Sequence, residues 1–255
     1  VEDSRQVKAG DVFLARGGEA VDGRSFIAAA EASGAAVILS DEHGCSVASG
    51  PAIQSSALAY DGAVLAHRLA GDPSESLAVV GVTGTNGKTT VSTVLAGVLG
   101  GDGACGLLGG VYRDDGRTRQ FTQLTTPMAS EVAMWLSDSM AGGCTRAVME
   151  VSSHALAQQR VAGVRYAAAI FTNLSGDHLD YHGSMEDYAR AKRTLFDNLD
   201  HDAVAVVNAD DPASEDMTAG TRASVIRCAI HNGGEVHGTI LESNTGGSRV
   251  NLCSP

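Results

Sequence analysis

The stretch LAVVGVTGTNGKTT, residues 77–90, limits what this chain can fold into more than any other segment. Its first half is a continuous apolar run, the pattern of a strand buried on both faces. The run breaks at Gly84 into a glycine-containing loop. After Lys88 and two threonines, Val91, Val94, Leu95, Val98 and Leu99 recur at helical spacing and predict one packed helix face. Strand, glycine loop, Lys-Thr and helix together make a phosphate cradle. Glycines let backbone N–H groups turn toward an anion, and the helix N-terminus adds partial positive charge. Lys88 is expected at the β- and γ-phosphate oxygens and the Thr89 hydroxyl at a magnesium ion. The strict spacing G-x-x-x-x-G-K-[ST] requires glycine at position 82, where this chain has Val82. The bland alternative is a glycine turn followed by a surface lysine.

Three later segments, TRAVMEVSS, YAAAIFTNLS and DAVAVVNADD, repeat the buried-strand style with helical stretches between them. The fold class expected is therefore α/β, with a mostly parallel sheet covered by helices on both faces. Ligands of such sheets bind beyond the carboxyl ends of the strands, which directs attention to the residues from 84, 150, 173 and 208 onward. The earlier part reads as a smaller α/β unit. DVFLA and AAVILSD are strand-like, Asp22 can cap a helix that stops near Gly34, and SALAYDGAVLAHRLAG reads as a second helix. GDPSES has linker chemistry. These signals divide the chain into an N-terminal domain, residues 1–73, and a central domain, residues 74–255. The Gly- and Ser-rich tail, with weak alternation, reads as an edge β-hairpin.

Composition narrows the function. A formal net charge of -12 disfavours a general nucleic-acid binder. Five scattered cysteines without a C-x-x-C pair argue against a disulfide framework or zinc site and for a reduced, cytoplasmic setting. No apolar run approaches the roughly 20 residues of a membrane span, and no leader pattern is visible, so no membrane insertion is expected. The chain opens on VEDSRQV without a starting Met, as if cut from something longer. A monomer is expected.

One lysine sits oddly. In SMEDYARAKRTLF, residues 184–196, Ser184 and Asp187 form a helix-start signal of the capping-box kind. Met185, Tyr188, Ala191, Leu195 and Leu199 mark the apolar face, and Lys192 lies along it, four residues from both Tyr188 and Phe196. Spacing alone favours a stem laid on the stripe with its head reaching water.

GVTGTNGKTT, LTTP (124–127), MEVSSHALAQQR (149–160) and FTNLSGDHLDYHGSMEDYARAK (171–192) together resemble the Mur ligases, ATP-dependent amide-forming enzymes of peptidoglycan assembly. The long blocks look like the MurE branch, which adds the third residue to UDP-N-acetylmuramoyl-L-alanyl-D-glutamate. The opening DSRQVKAGDVFLA is similar to that branch's N-terminal domain. The resemblance implies ATP, two Mg²⁺ ions and a CO₂-derived carbamate on Lys192 as cofactors. It implies the UDP-muramoyl dipeptide and an amino acid, diaminopimelate or lysine, as partners.

Residue by residue, the resemblance implies that Gly84, Thr85, Asn86, Gly87, Lys88, Thr89, Thr90 and Asn173 hold the nucleotide. Thr89 and Glu150 then hold the first magnesium, and His178 and carbamylated Lys192 the second. Lys88, His178 and Lys192 are the catalytic set. Ser4, Thr125, Thr126, Ser152, Gln158 and Arg160 contact the UDP substrate. His154 and His182 have no such support and read as structural. Family members continue into a third domain that binds the incoming amino acid, and the chain is expected to stop short of it. The alternatives are a folylpolyglutamate synthase-like ligase and a non-catalytic fragment that binds nucleotide or UDP-sugar.

Overall fold

The computed structural model describes residues 1–18, 21–101, 104–231, 233–245 and 247–254. Its strands form two sheets. The smaller is parallel, in the order β1 (Val12–Ala15), β2 (Val37–Ser40), β3 (Ala52–Gln54). Asp22 starts a helical segment as expected, accepting from the Arg24 N–H at the head of a 3₁₀ turn that leads into α1 (Ile27–Ala32). Gly34 follows with φ +96°, where a side chain would be strained. Phe13, Ile27 and Ile38 fill the core of this unit. Two elements were not anticipated: α2 (Glu42–Val47), capped by Asp41, and the exposed strand β3. Both are too short to show a period.

The unit closes with α3 (Leu58–Leu69). The expected linker is a packed 3₁₀ turn, Pro73–Glu75, with Pro73 and Ser74 buried. The Ser74 hydroxyl accepts from the Arg165 N–H at 3.0 Å, which ties the turn to the larger sheet.

The larger sheet begins with β4 (Ala78–Thr83), α4 (Lys88–Leu99), β5 (Cys105–Leu108), β6 (Tyr112–Asp114) and β7 (Arg119–Phe121). It continues with α5 (Ala129–Ala141), β8 (Arg146–Glu150), α6 (Ser153–Ala157), β9 (Ala168–Phe171), α7 (Leu179–His182) and α8 (Met185–Asp197). The last elements are β10 (Val204–Asn208), α9 (Ser214–Thr218), β11 (Ser224–Ala229), β12 (Val236–Asn244) and β13 (Gly247–Cys253). The spatial order is β13-β12-β11-β10-β9-β4-β8-β5-β6-β7. It is parallel from β12 to β5 and antiparallel at both edges. The edge pair β12–β13 is the expected hairpin.

The chain leaves β4 toward β5 on one side and later builds β9 and β10 on the other. The phosphate loop, residues 84–90, thus emerges where the strand order reverses, the place where such sheets bind ligands.

Alternation along β4 assigns its two faces. Val82 packs with Ala96, Leu107 and Val148 under α4. Val79 packs on the opposite face with Phe171, Leu195 and Phe196, where α8 lies. The expected apolar face of α4 needs correction: Val94 is 62% exposed and Val98 72%, while Ser92 and Ala96 are buried. Small residues let the helix approach the sheet closely, so its larger Val91, Leu95 and Leu99 are only partly covered.

Candidate active site

The phosphate loop is shaped by two glycines. Gly84 has φ +146°, and a Cβ there would stand 1.9 Å from the Thr172 hydroxyl oxygen. Gly87 caps α4 at φ +84°. Asn173 clamps the loop from just beyond the end of β9: its Oδ1 accepts from the Asn86 N–H at 3.0 Å and its Nδ2 donates to the Asn86 carbonyl at 2.9 Å. Thr85 is buried, with its hydroxyl 3.1 Å from that of Tyr188. Asn86, Gly87, Thr89 and Thr90 are open to solvent at the start of α4. Lys88 folds back and donates to the carbonyls of Gly84 and Thr85, both at 2.9 Å. Burial lowers its pKa, against the pull of Glu150 and Asp177.

On the α4 side, the Thr89 hydroxyl donates to Glu150 Oε2 at 3.1 Å. Glu150 ends β8 and is 1% exposed. Its other oxygen accepts from the Gly110 N–H at 2.9 Å. A Cβ on Gly109 would stand 2.4 Å from that same oxygen, so these glycines make room for the carboxylate. The glycine pair after the strand end at Leu108 was the available signal, and sequence reasoning passed over it. A hydroxyl and a carboxylate are hard donors that suit magnesium, which keeps several waters and phosphate oxygens as its remaining ligands. Among the described residues, no cluster of three or more His, Cys, Asp or Glu forms an all-protein cage.

On the α8 side, Ser184 caps α8 by accepting from the Asp187 N–H. Asp187 in turn accepts from the Ser184 hydroxyl at 2.8 Å, since its side chain is a methylene shorter than the usual Glu. Lys192 is 1% exposed and does not reach water. Its Nζ donates to the Gly84 carbonyl at 2.9 Å and lies 4.3 Å from the centre of the Tyr188 ring. Burial, with Lys88 adding repulsion and Asp177 opposing, brings its pKa down to about 7.

His178 sits at φ +52° and is half-exposed, its ring 6.4 Å from that of Tyr188. His154 and His182, read from sequence as structural, join it: the His154 ring is 4.7 Å from His178 and 5.5 Å from His182. Tyr188 is the residue that sequence reasoning missed here. Its helical spacing marked it only as core, yet it joins loop, lysine and histidines.

The third group lies between β8 and the small sheet. Thr126 is 1% exposed, and its hydroxyl donates to the Glu150 carbonyl at 2.8 Å and accepts from the Ser152 N–H at 3.1 Å. Ser152 caps α6. Arg160 donates to the Thr126 carbonyl at 2.9 Å and, through two further N–H groups, to Gln158 Oε1. Burial and the nearby Arg16 lower its pKa. Thr125 is half-buried beside Glu150, near the position a Cβ on Gly110 would take. Ser4 stands across a cleft of about 690 Å³ from Gln158, with Arg16 and Phe26 in its wall. The structure thus brings all the sequence-predicted residues except Ser4 to one end of the sheet, and the cleft links Ser4 to them.

Residues 2–72 match the description "Mur ligase family, catalytic domain", and residues 82–255 match "Mur ligase middle domain". The UDP-N-acetylmuramoyl-L-alanyl-D-glutamate--2,6-diaminopimelate ligase of Gloeobacter violaceus is 45% identical over 211 residues, 82% of this chain and 43% of that protein. The ligase of the same name from Listeria monocytogenes is 39% identical over 261 residues, 100% of this chain and 53% of that protein. A solved structure of a ligase of that name superposes with a TM-score of 0.88 at 29% identity, covering 100% of this chain and 53% of that one. The chain spans about half the length of the curated relatives it matches. With both domains matched and the loop, the buried lysine and the glutamate gathered at one end of the sheet, the chain belongs to the Mur ligase family.

Proposed function

We propose that this chain carries the nucleotide- and UDP-substrate-binding part of an ATP-dependent ligase that extends UDP-N-acetylmuramoyl-L-alanyl-D-glutamate by one amino acid. The observation that carries the reading is Lys192, buried on an otherwise amphipathic helix with its head against the Gly84 carbonyl of the phosphate loop. The relatives' names favour 2,6-diaminopimelate as the amino acid. No helix among the described residues is long and apolar enough to cross a membrane. A cytoplasmic setting is proposed with the function.

In this reading the backbone of residues 84–90 and the start of α4 bind the triphosphate of ATP. Lys88 leaves the loop carbonyls to neutralise phosphate oxygens. Thr89 and Glu150 hold one magnesium; His178 and Lys192 hold the second. Magnesium there supplies charge neutralisation for phosphoryl transfer. Arg160 orients the D-glutamate end of the substrate through its planar fork, with Thr125, Thr126, Ser152 and Gln158 lining the approach. Ser4 receives the uridine-nucleotide end across the cleft. The γ-phosphoryl group passes to the D-glutamate carboxylate, and the amine of the incoming amino acid then displaces phosphate to form the amide.

Lys192 needs a covalent change to serve as a metal ligand. With its pKa near 7, a large share of the amine is neutral at neutral pH. The nitrogen lone pair attacks CO₂, an N–C bond forms, one C–O π pair moves onto oxygen, and the amine proton leaves to solvent. A cation becomes a carboxylate, an oxygen donor that suits magnesium.

The test incubates the chain with ATP, Mg²⁺, the UDP-muramoyl dipeptide and diaminopimelate, and separates the products by chromatography. Amide product supports the ligase reading for the chain alone. A second reading of the same site is binding of nucleotide and UDP-sugar without catalysis. Binding of ATP and UDP-dipeptide without product supports that one. Binding of neither defeats both.

A further inference from the structure

We propose that the Thr83 hydroxyl is a built-in donor for the carboxylate carried on Lys192, which makes Thr83 a positioning residue of the site. The proposal rests on the carbamate reading given above. Thr83 is the last residue of β4, immediately before Gly84, and is 0% exposed. Its Oγ1 is buried without a hydrogen-bond partner among the described residues. A buried hydroxyl left unpaired is costly and rare, so one at the mouth of a ligand site marks where a polar group is missing.

Three observations place it on the Lys192 side of the sheet. Thr83 is one step from Val82, whose side chain lies under α4, so its own side chain points to the opposite face. Its register partner on β9 is Phe171, which packs there with Leu195 and Phe196 of α8. Lys192, one turn before Leu195 and Phe196, reaches the carbonyl of the next residue, Gly84, at 2.9 Å. The neighbouring hydroxyls are already engaged. Tyr188 bonds Thr85, Thr172 bonds the Asn86 carbonyl, and Thr126 bonds the Glu150 carbonyl. A lysine ammonium offers only donors, and Lys192 directs one to the Gly84 carbonyl; the Thr83 hydroxyl could accept another, yet no such bond forms. A carboxylate carried on the same nitrogen reaches further into the site and brings acceptor oxygens, to one of which the Thr83 O–H can donate.

The experiment is a titration with ¹³C-labelled bicarbonate, reading the carbamate carbon by NMR, on wild type, Thr83→Val, Thr83→Ser and Lys192→Ala. Wild type should show a saturable signal that Lys192→Ala lacks. Thr83→Val should need on the order of tenfold more bicarbonate for half-saturation, the loss expected for a hydrogen bond to a charged group. Thr83→Ser, which keeps the hydroxyl, should stay within about twofold of wild type. In CO₂-free buffer Thr83→Val should melt no lower than wild type, because it removes an orphaned polar atom. Equal half-saturation in wild type and Thr83→Val overturns the role of Thr83 while leaving the carbamate intact, as for a hydroxyl that merely holds a buried water. No carbamate signal in wild type overturns the carbamate reading and this inference with it.

Discussion

Gly84→Ala perturbs the phosphate loop at its tightest point. The alanine Cβ would stand 1.9 Å from the Thr172 hydroxyl and 3.1 Å from both the N and the O of Asn173. The backbone there has φ +146°, a region essentially reserved for glycine, where a side chain costs about 1–3 kcal/mol. Moving Thr172 aside gives up its 2.6 Å bond to the Asn86 carbonyl, roughly 1 kcal/mol more. Together these come to about 3 kcal/mol, or about 6–12 °C in melting temperature for a chain of this size. If the loop relaxes instead, the loss moves into nucleotide affinity, about a hundredfold for the same free energy.

Two assays cover both routes: thermal melting followed by circular dichroism, and calorimetric titration with MgATP. Gly97→Ala is the control. Gly97 lies on the exposed side of α4 with no atom of the described residues within 4 Å of a Cβ, so alanine there should stabilise by about 0.5–1 kcal/mol. A Gly84→Ala protein that melts and binds like wild type would refute the reasoning about this loop.

Three further outcomes follow from single residues. The folded pKa of Lys192 is lowered, so the cost of burying its charge is fully present below about pH 7 and is relieved as pH rises toward its unfolded value of 10.5; in CO₂-free buffer, the melting temperature of wild type relative to Lys192→Met should rise between pH 7 and 9, and a flat difference contradicts this. His67 on α3 is buried with neither ring nitrogen partnered among the described residues, and burial lowers its pKa to about 4. Wild type should lose stability as pH falls from 6.5 toward 4, by on the order of 3 kcal/mol at pH 4. In denaturant titrations His67→Leu should lose that part of the acid dependence; an unchanged dependence would assign it elsewhere. Arg160→Lys removes the planar fork on Thr126 and Gln158, so affinity for the UDP-muramoyl dipeptide should drop on the order of tenfold, read by fluorescence competition, and unchanged affinity would exclude Arg160 from that site.

Much of this site was legible in the chain because its parts are local. The phosphate loop lies within fourteen consecutive residues and is written in glycines and a strand-to-helix change of period. Lys192 was legible as an anomaly of helical spacing, though spacing alone favoured a head in water. Its burial depends on the loop arriving over α8, 108 residues away in sequence, and no local pattern carries that. Thr83 and Tyr188 were missed for the same reason. Each looks like ordinary strand or core until β4 and α8 come together. The exposed Val94 and Val98 show the converse error, in which a clean helical period named residues that close helix-to-sheet packing leaves outside.

The central claim is that Thr89 and Glu150 form a magnesium-dependent nucleotide site at the end of β4 and β8. Calorimetric titration of ATP, with and without Mg²⁺, into wild type and Glu150→Gln tests it most directly. The substitution keeps an acceptor for the Gly110 N–H but removes the charge. Magnesium should raise ATP affinity in wild type by on the order of tenfold or more and should have little effect on Glu150→Gln. The same magnesium dependence in both proteins, or no ATP binding by wild type, would contradict the claim.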